Sequence, residues 1–516
     1  GLQSIIDEIN GLEIEALGNP YRVKFGELTI GKPRVVEIDG SVSNILPLEA
    51  RLRALTYSAP LYLEMVMEEK GVATDMQRQH IGELPVMVKS KLCALNGYTE
   101  EQLIERGEDR HDPGGYFIVH GSERVIVGLE DLSPNKVLVD IEKTGATTTF
   151  KSRIYSSIVG YRSKLEITLK QDGAVNVKLP SSPVDLPFVT VLRTLGLQTD
   201  KEIADTISLR PEIQDLLEVS FEKSSETPTT DDALVYIGNR VAHGMPDEFR
   251  VRKALSVLDW GLLPHLGRKE ENRFDKAMFI GEAVCKLLEL KLGLVTPDDK
   301  DHYGNKMIKF AGQMLADLFR TSFRNLVRDL KYQLERTGQR RGINVVGAAI
   351  RPGIIKDKLA NSVATGNWGR GKVGVTQLLD RTNFLSTTSH LRRIQSPLSR
   401  TQPNFEARDL HATHFGRICP TETPEGANCG LVKNIALSAV ISVNAPTENV
   451  IDQLTELGVV STREKRKDEK VDDCKIFLNG WFMGFHKDGK QLVSEFRDIR
   501  RKTGIHPHVG IAYFPP

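Results

Sequence analysis

A chain of 516 residues is too long to fold around one hydrophobic core, so we expect roughly three or four domains. The 69 lysines and arginines nearly balance the 68 aspartates and glutamates, which excludes a uniformly basic nucleic-acid-binding protein and means that any charged partner surface is local. No apolar run approaches the ~20 residues needed to cross a bilayer, and five scattered cysteines indicate free thiols in a reducing compartment, so a cytoplasmic protein is expected.

The first part of the chain predicts helices and strands in alternation. Apolar residues at helical spacing predict a helix within residues 1–18, and the alternation over residues 21–25 predicts a half-buried strand. Thr99 and Gln102 form a capping-box pattern that predicts the start of another helix. The run YFIVHGSERVIV, residues 116–127, predicts a hairpin around a four-residue loop that contains glycine.

The middle of the chain predicts an inserted domain that is rich in helix. Residues 164–170 and 174–179 read as two strands joined by Gln-Asp-Gly. Apolar residues then recur every three or four positions from Phe274 to Leu288, and Gly293 is the expected helix stop.

An acidic run follows that helix and allows two interpretations. Asp298, Asp299 and Asp301 could be metal ligands, since carboxylates bind divalent cations. Thr296 followed by Pro297 and acidic residues is also typical of a helix N-terminus. We favour the N-cap interpretation.

A long helix is predicted over residues 306–336, with a row of basic side chains spaced four, four and three apart: Arg320, Arg324, Arg328 and Lys331. This row is either solvated surface or a face directed at nucleic acid or a partner, and the sequence leaves both open. Further on, residues 461–473 predict a charged, solvated loop, and residues 475–486 predict strands.

The segment from Thr365 to Lys433, called the basic segment below, concentrates positive charge. It contains nine Lys or Arg against five Asp or Glu, with many glycines and prolines between them. Arginine binds phosphate oxygens through its forked donors and stacks on bases, and glycine lets backbone amides approach a polyanion. The basic segment therefore predicts a nucleic-acid partner.

Five blocks in this region carry a family resemblance: ATGNWG, LDRTNFLSTTSHLRR, SPLSR, FEARDLHATHFGRICP and ETPEGANCGLVKN. They resemble the second-largest, beta-like subunit of multisubunit DNA-directed RNA polymerases, in the form of the N-terminal half found in archaea with a split subunit. The block GYFIVHGSE near the predicted hairpin resembles the same family.

The resemblance implies a multidomain α+β fold in which a domain called the protrusion is interrupted by an inserted lobe. The implied boundaries are residues 1–136 for the first part of the protrusion, 137–312 for the lobe, 313–344 for the second part of the protrusion, 345–441 for the fork and 442–516 for the beginning of the first external domain.

The resemblance also implies a function: the chain would shape the active-centre cleft, the downstream fork and the wall of the RNA–DNA hybrid during template-directed RNA synthesis. Residues 365–374 match a loop near the downstream fork, and Glu425 and Asn428 match positions close to the RNA 3′ end. The implied nucleic-acid-binding residues are Trp368, Arg370, Lys372, Gln377, Asp380, Arg392, Arg393, Arg400, Glu425 and Asn428.

No catalytic residue and no metal ligand is assigned to this chain. Nucleotidyl transfer needs two magnesium ions held by carboxylates, and in the family these belong to the largest subunit. The implied partners are the largest subunit, the C-terminal half of the second-largest subunit, the other polymerase subunits, template DNA and nascent RNA. No membrane is expected among the partners.

Two further patterns look like ligand sites but fit poorly. Residues 366–372, GNWGRGK, match a P-loop except that Val373 replaces the hydroxyl residue, and helix rather than strand precedes them. His411, His414, Cys419 and Cys429 are zinc-ligand types without the usual Cys-x2-4-Cys spacing, so buried thiols and hydrogen-bonded histidines are the favoured interpretation.

Glu422 and Glu425 could form an acid/base pair, but the surrounding prolines and glycine predict a tight turn with no nucleophile nearby. Two other functions stay open from the sequence: a stand-alone nucleic-acid-binding module without catalytic partners, and a nucleotide hydrolase that would depend on the imperfect P-loop.

Overall fold

The computed structural model describes residues 1–9, 12–16, 19–69, 72–73, 76–145, 147–158, 161–179, 182, 184–337, 347, 349–369, 372–442, 445–460, 474–502 and 504–513. Helices and strands are mixed along the chain, which confirms the α+β class. None of the helices in these ranges is long and apolar enough to cross a membrane.

The strands, in chain order, are β1 Leu12–Ala16, β2 Asn19–Ile30, β3 Arg34–Val36, β4 Val42–Asn44, β5 Ser58–Glu69, β6 Val72–Ala73, β7 Gln77–Pro85, β8 Phe117–Val119, β9 Ser122–Ile126, β10 Gly128–Leu132, β11 Val137–Thr144, β12 Thr147–Ile158, β13 Tyr161–Leu169, β14 Val175–Lys178, β15 Leu186–Pro187, β16 Lys306–Lys309, β17 Thr376–Leu378, β18 Arg393–Gln395, β19 Val432–Asn434, β20 Cys474–Leu478 and β21 Trp481–His486.

The α-helices are α1 Leu2–Ile9, α2 Pro47–Leu52, α3 Glu100–Glu105, α4 Phe188–Thr194, α5 Asp200–Ile207, α6 Pro211–Asp215, α7 Glu218–Glu222, α8 Thr230–Val241, α9 Asp247–Ser256, α10 Arg273–Leu292, α11 Ala311–Thr337, α12 Gly353–Thr365, α13 Phe384–Leu391, α14 Glu448–Glu456 and α15 Gly489–Arg501.

The chain divides into two compact units. The first is formed mainly by Gly1–Asp131 and Asp301–Ala439, and the second mainly by Leu132–Ile158, Arg162–Lys300 and Val440–Pro516. The predicted hairpin and the residues from Gly312 to Ala439 thus belong to the same unit. The assignment of five segments to protrusion, lobe, fork and external domain stays a prediction.

The larger of two hydrophobic clusters in the described part of the first unit lies between a five-stranded antiparallel sheet and the helices α1, α11 and α12. β2 and β5 pair along most of their length, and the alternation predicted near Phe25 places its ring edge-on to Phe323 of α11, with centroids 5.5 Å apart. The first helix ends at Ile9, and Leu12–Ala16 pairs with β2 as a strand, so the helix predicted within residues 1–18 is shorter than its apolar spacing suggested.

The predicted basic row on α11 is interrupted by burial. Arg320 is only 2% exposed and donates to both carboxylate oxygens of Glu8, 312 positions away, so it is a structural cation rather than part of an exposed face. The helix also begins later than predicted, because residues 306–309 form β16.

Two small sheets of the first unit hold the basic segment. β8 and β9 form the predicted hairpin, but with a two-residue loop, His120-Gly121, in which both residues have positive φ, as a tight type I′ turn requires. β17 extends this hairpin. A second sheet has the order β16-β10-β18-β19, in which β10 and β18 are parallel.

The second unit packs an antiparallel sheet, β11 to β15, against helices that include α4, α5 and α10. α10 ends at Gly293 with φ 75°, as predicted. The helix start predicted at Thr296 is wrong: the Asp298 carboxylate accepts from the Val139 backbone amide at 2.8 Å and pairs with Lys286 at 2.7 Å, which keeps this run extended along β11.

Residues 474–486 form the hairpin β20–β21, which supports the strand prediction there. It packs beside His265, whose carbonyl accepts from the Trp481 indole at 3.1 Å. α14 and α15 share a small core with Ile505. The predicted charged loop at residues 461–473 lies outside the described residues.

Candidate nucleic-acid interface

The basic segment begins where α12 ends. Gly366, with φ 74°, terminates the helix, and a Cβ there would lie 2.6 Å from the Thr376 carbonyl oxygen. The helix before Gly366 agrees with the argument against a P-loop. Trp368 and Lys372 close a tight turn through a backbone hydrogen bond of 3.0 Å, and the Lys372 side chain is exposed.

Trp368 does not fit the predicted role in nucleic-acid binding. Its side chain is 9% exposed, belongs to the core of the first unit and donates from Nε1 to the Met314 carbonyl at 3.1 Å. A ring packed on all sides cannot stack on a base, so Trp368 anchors the loop instead. Arg370 lies outside the described residues.

Gln377 and Asp380 are joined through His390. The Asp380 amide donates to His390 Nδ1 at 3.1 Å, so Nε2 carries the ring proton and donates to Gln377 Oε1 at 3.0 Å. The Asp380 carboxylate accepts from the Ser386 hydroxyl and from the Thr382 amide, and these hydrogen bonds lower its pKa to about 2. Both predicted site residues therefore shape the entry to α13.

The arginines of the basic segment fall into two groups, of which the first, including Arg381 and Arg392, is bonded within the protein. Arg381 pairs with Glu123 at 2.7 Å. Arg392 donates to the backbone carbonyls of Ile435 and Ala436, and none of the described carboxylates lies at ion-pair distance from it.

Arg393 and Arg400 form the second group. Arg393 is half-buried at the start of β18, and Arg400 is exposed. Within the described ranges, neither side chain has a carboxylate at ion-pair distance or a hydrogen-bond partner. Their positive charges are therefore available to an external anion.

The loop with Glu425 and Asn428 is held by hydrogen bonds to the Thr423 side chain. The Thr423 hydroxyl accepts from the Gly430 amide and donates to the Val432 carbonyl, both at 2.9 Å. Glu425 is exposed, whereas Asn428 Oδ1 is buried and has no hydrogen-bond partner among the residues described. An acceptor left without a donor in a protein is costly unless a ligand or water completes it.

Arg408 connects two loops of the first unit. The first is residues 396–405, called the Arg400 loop, and the second is residues 425–430, called the Glu425–Asn428 loop. Its Nη1 donates to the carbonyls of Ala427 and Cys429, both at 2.8 Å, and its Nη2 donates to the Arg400 carbonyl at 3.2 Å. No pattern in the sequence singles out this residue, because its acceptors are backbone atoms that any residue supplies.

A buried charge cluster fixes β19 at the end of the basic segment. Lys433, 5% exposed, and Lys306 contact the carboxylate of Glu130, 3% exposed, at 3.0 and 2.7 Å. Burial tends to raise the pKa of Glu130, but attraction to the two lysines outweighs it, so this pKa lies below its usual value. No local pattern could have predicted this cluster, because Glu130 and Lys433 are 303 positions apart.

The two histidines weighed as zinc ligands have other contacts, but the prediction of buried thiols is wrong, because Cys419 is half-buried and Cys429 is exposed. His414 packs edge-on against Tyr303, and His411 Nδ1 hydrogen bonds to the Thr413 hydroxyl at 2.7 Å. Glu422 accepts a hydrogen bond from Ser389. Over the described ranges, no group of three or more His, Cys, Asp or Glu side chains is arranged to hold a metal ion.

Known protein families and individual relatives match most of the chain. The family model of the RNA polymerase beta subunit matches residues 2–356, and those of RNA polymerase Rpb2 domain 3 and domain 4 match residues 377–441 and 476–515. DNA-directed RNA polymerase subunit Rpo2 of Saccharolobus shibatae is 47% identical over 521 residues, which cover 99% of this chain and 46% of that protein.

Shorter relatives match over nearly their whole length. DNA-directed RNA polymerase subunit Rpo2N of Methanococcus vannielii is 45% identical, over 89% of this chain and 93% of that protein, and Rpo2N of Halobacterium salinarum is 42% identical, over 89% and 90%. The chain thus spans about half the length of the Rpo2 relatives and most of the length of the Rpo2N relatives. The chain therefore belongs to the RNA polymerase beta-subunit family, in the part of it that the Rpo2N subunits represent.

Proposed function

We propose that this chain is the N-terminal half of the second-largest subunit of a DNA-directed RNA polymerase, and that it shapes the active-centre cleft, the downstream fork and the hybrid wall. The observation that carries the proposal is the division of charges in the basic segment. Arg381 is neutralised by the protein, whereas Arg393 and Arg400 have no carboxylate partner in the described ranges. Arginines without a carboxylate partner are suited to phosphate binding.

The structure suggests different tasks for the predicted site residues. Lys372, Arg393 and Arg400, with Arg370 by sequence alone, would contact phosphates. Gln377, Asp380 and Arg392 would fix the surface on which the hybrid lies, because their side chains are bonded within the protein. Glu425 and Asn428 would lie near the RNA 3′ end.

The chemistry of nucleotide addition would come from partners. The catalytic magnesium ions would be held by the largest subunit, as the family resemblance implies. We further propose that the chain works in the cytoplasm, bound to the largest subunit, the C-terminal half of the second-largest subunit, the remaining subunits, template DNA and nascent RNA.

A stand-alone nucleic-acid-binding module is less well supported, because the relatives are named as polymerase subunits. Native co-purification separates the two hypotheses: a subunit arrives with the largest subunit, whereas a stand-alone module arrives without it.

The phosphate role is tested with Arg400→Ala in the reconstituted polymerase. Loss of one phosphate-directed cation should weaken transcript retention by about 1–3 kcal/mol and lower the salt slope by roughly one counterion, with normal assembly. Arg501→Ala is the control, because Arg501 is an exposed arginine of the second unit whose ion pair, with Asp498, is local. Normal retention in the Arg400 variant, or failed assembly, would contradict the proposal.

A further inference from the structure

We infer that Arg408 is a positioning residue that sets the spacing between the Arg400 loop and the Glu425–Asn428 loop. The inference rests on the proposed function, because it assigns to Arg408 the geometry of two loops that would face the hybrid and the RNA 3′ end. Arg408 would act through these loops and not by touching the nucleic acid itself.

The first support is the set of acceptors. Three carbonyl oxygens, those of Arg400, Ala427 and Cys429, accept from one guanidinium group at 2.8 to 3.2 Å. The guanidinium is planar and its donors diverge at fixed angles, so the three carbonyls can satisfy it only at one relative placement. A lysine ammonium carries the same charge on a flexible stem but cannot impose this placement.

The second support is the backbone contact on the other side of Arg408. Gly430 has φ 72°, and a Cβ there would lie 2.4 Å from the Arg408 carbonyl oxygen and 2.6 Å from its Cα. The backbone of the Glu425–Asn428 loop therefore packs directly against the backbone of Arg408, and the Arg408 side chain also hydrogen bonds to this loop. The Thr423 hydroxyl holds the Gly430 amide in this position at 2.9 Å.

The third support is that the backbone of Arg408 is itself held in place. It ends a short 3-10 turn, Glu406–Arg408, and its amide donates to the Phe405 carbonyl at 3.0 Å. A rigid base, a planar donor group and a glycine contact together determine how far the two loops stand apart. A displacement of about 1 Å between groups that orient a substrate can lower a rate by as much as ~100-fold.

The alternative is that Arg408 contributes only its positive charge, as a direct phosphate contact. The two ideas differ in what a lysine does at this position. If charge alone matters, Arg408→Lys retains function. If the placement of the loops matters, Arg408→Lys fails much as Arg408→Ala does, and Gly430→Ala fails too although it changes no charge.

The experiment uses the reconstituted polymerase with Arg408→Ala, Arg408→Lys, Gly430→Ala and Arg400→Ala. Retention of the transcript at raised salt reports on the Arg400 loop, and the KM for the incoming nucleotide, separated from kcat, reports on the Glu425–Asn428 loop. For Arg408→Lys and Gly430→Ala we expect transcript retention to fall about tenfold and KM to rise about tenfold. Arg400→Ala should change retention alone.

The control is Arg500→Lys, because Arg500 of the second unit is also a half-buried arginine bonded to a backbone carbonyl, that of Val509, at 2.6 Å. It should leave both readouts unchanged. In the double variant with Arg400→Ala, Arg408→Lys should add little to the loss of retention, because the cation that Arg408 positions is already gone. It should still raise KM, because the Glu425–Asn428 loop is displaced in the double variant as well.

The outcomes separate the two proposals. If Arg400→Ala leaves retention unchanged, the proposed function of the basic segment fails. If Arg400→Ala lowers retention but Arg408→Lys and Gly430→Ala match the unaltered enzyme, the positioning inference alone is overturned. Failure of all the Arg408 and Gly430 variants to assemble would also overturn it, because the residue would then be needed for folding and not for spacing.

Discussion

His265 is a buried histidine that the fold keeps neutral. It is 9% exposed, its Nδ1 lies 2.7 Å from the Ser156 hydroxyl, and the buried ammonium of Lys276 is close enough to repel a second charge. Burial, with a smaller contribution from Lys276, lowers the pKa of His265 from 6.5 to about 4. The folded state therefore binds this proton less readily than the unfolded chain does.

We predict that this histidine makes the folding of the second unit sensitive to acid. Between pH 6.5 and about 4 the unfolded chain takes up a proton that the folded chain refuses, so stability falls by up to ~3 kcal/mol over this range. His265→Asn, which cannot take up the proton, should flatten this part of the pH profile of urea unfolding. An unchanged slope in the variant would show that His265 is not the group that titrates.

At the scale of elements, α12 and β17 are joined by a close backbone contact. The helix ends at Gly366, whose left-handed conformation brings the chain against the Thr376 carbonyl. Gly369 has nearly the same φ, 75°, but a Cβ there would meet no described atom within 4 Å. The two glycines thus share a conformational requirement and differ in the space available.

Alanine at each glycine should separate these two effects. Gly369→Ala should cost about 1–2 kcal/mol for the left-handed conformation alone. Gly366→Ala should cost a further ~1–3 kcal/mol, because the new methyl group forces α12 and β17 apart. Urea unfolding followed by circular dichroism measures both, and equal destabilisation by the two variants would refute the close contact at Gly366.

At the scale of the whole molecule, one hydrophobic core of the first unit is built from two distant parts of the chain. Phe25 of β2 and Phe323 of α11 touch within this core, and Phe323 is fully buried. The second unit has its own core, with Phe188 fully buried in it.

Phe323→Ala should loosen both parts of the first unit together. Removing a buried phenylalanine costs about 3–5 kcal/mol, so amide hydrogen exchange should accelerate in β2 as well as in α11 and α12. Phe188→Ala is the matched control, in which the acceleration should fall on α4 and the strands around it. Exchange that rises only near residue 323 in the first variant would contradict a shared core.

The sequence predicted local elements well and long-range partners poorly. The capping box at Thr99 and the stop of α10 at Gly293 depend on nearby residues, and both are confirmed. Arg320 looked like surface because its partner Glu8 is 312 positions away. Trp368 lies in a polar, glycine-rich stretch that predicts an exposed side chain, and the Met314 carbonyl that accepts the hydrogen bond from its indole leaves no trace in sequence spacing.

The distance between Glu8 and Arg320 also matters while the protein is being made. At about 5–20 residues per second, the ribosome takes roughly 15–60 s to synthesise the 312 residues between them. During that interval β2 and β5 have left the exit tunnel, but α11, which covers their apolar face, has not been translated. The nascent chain therefore presents an uncovered sheet throughout the synthesis of the second unit's first segments, and we expect a holding chaperone to bind it there.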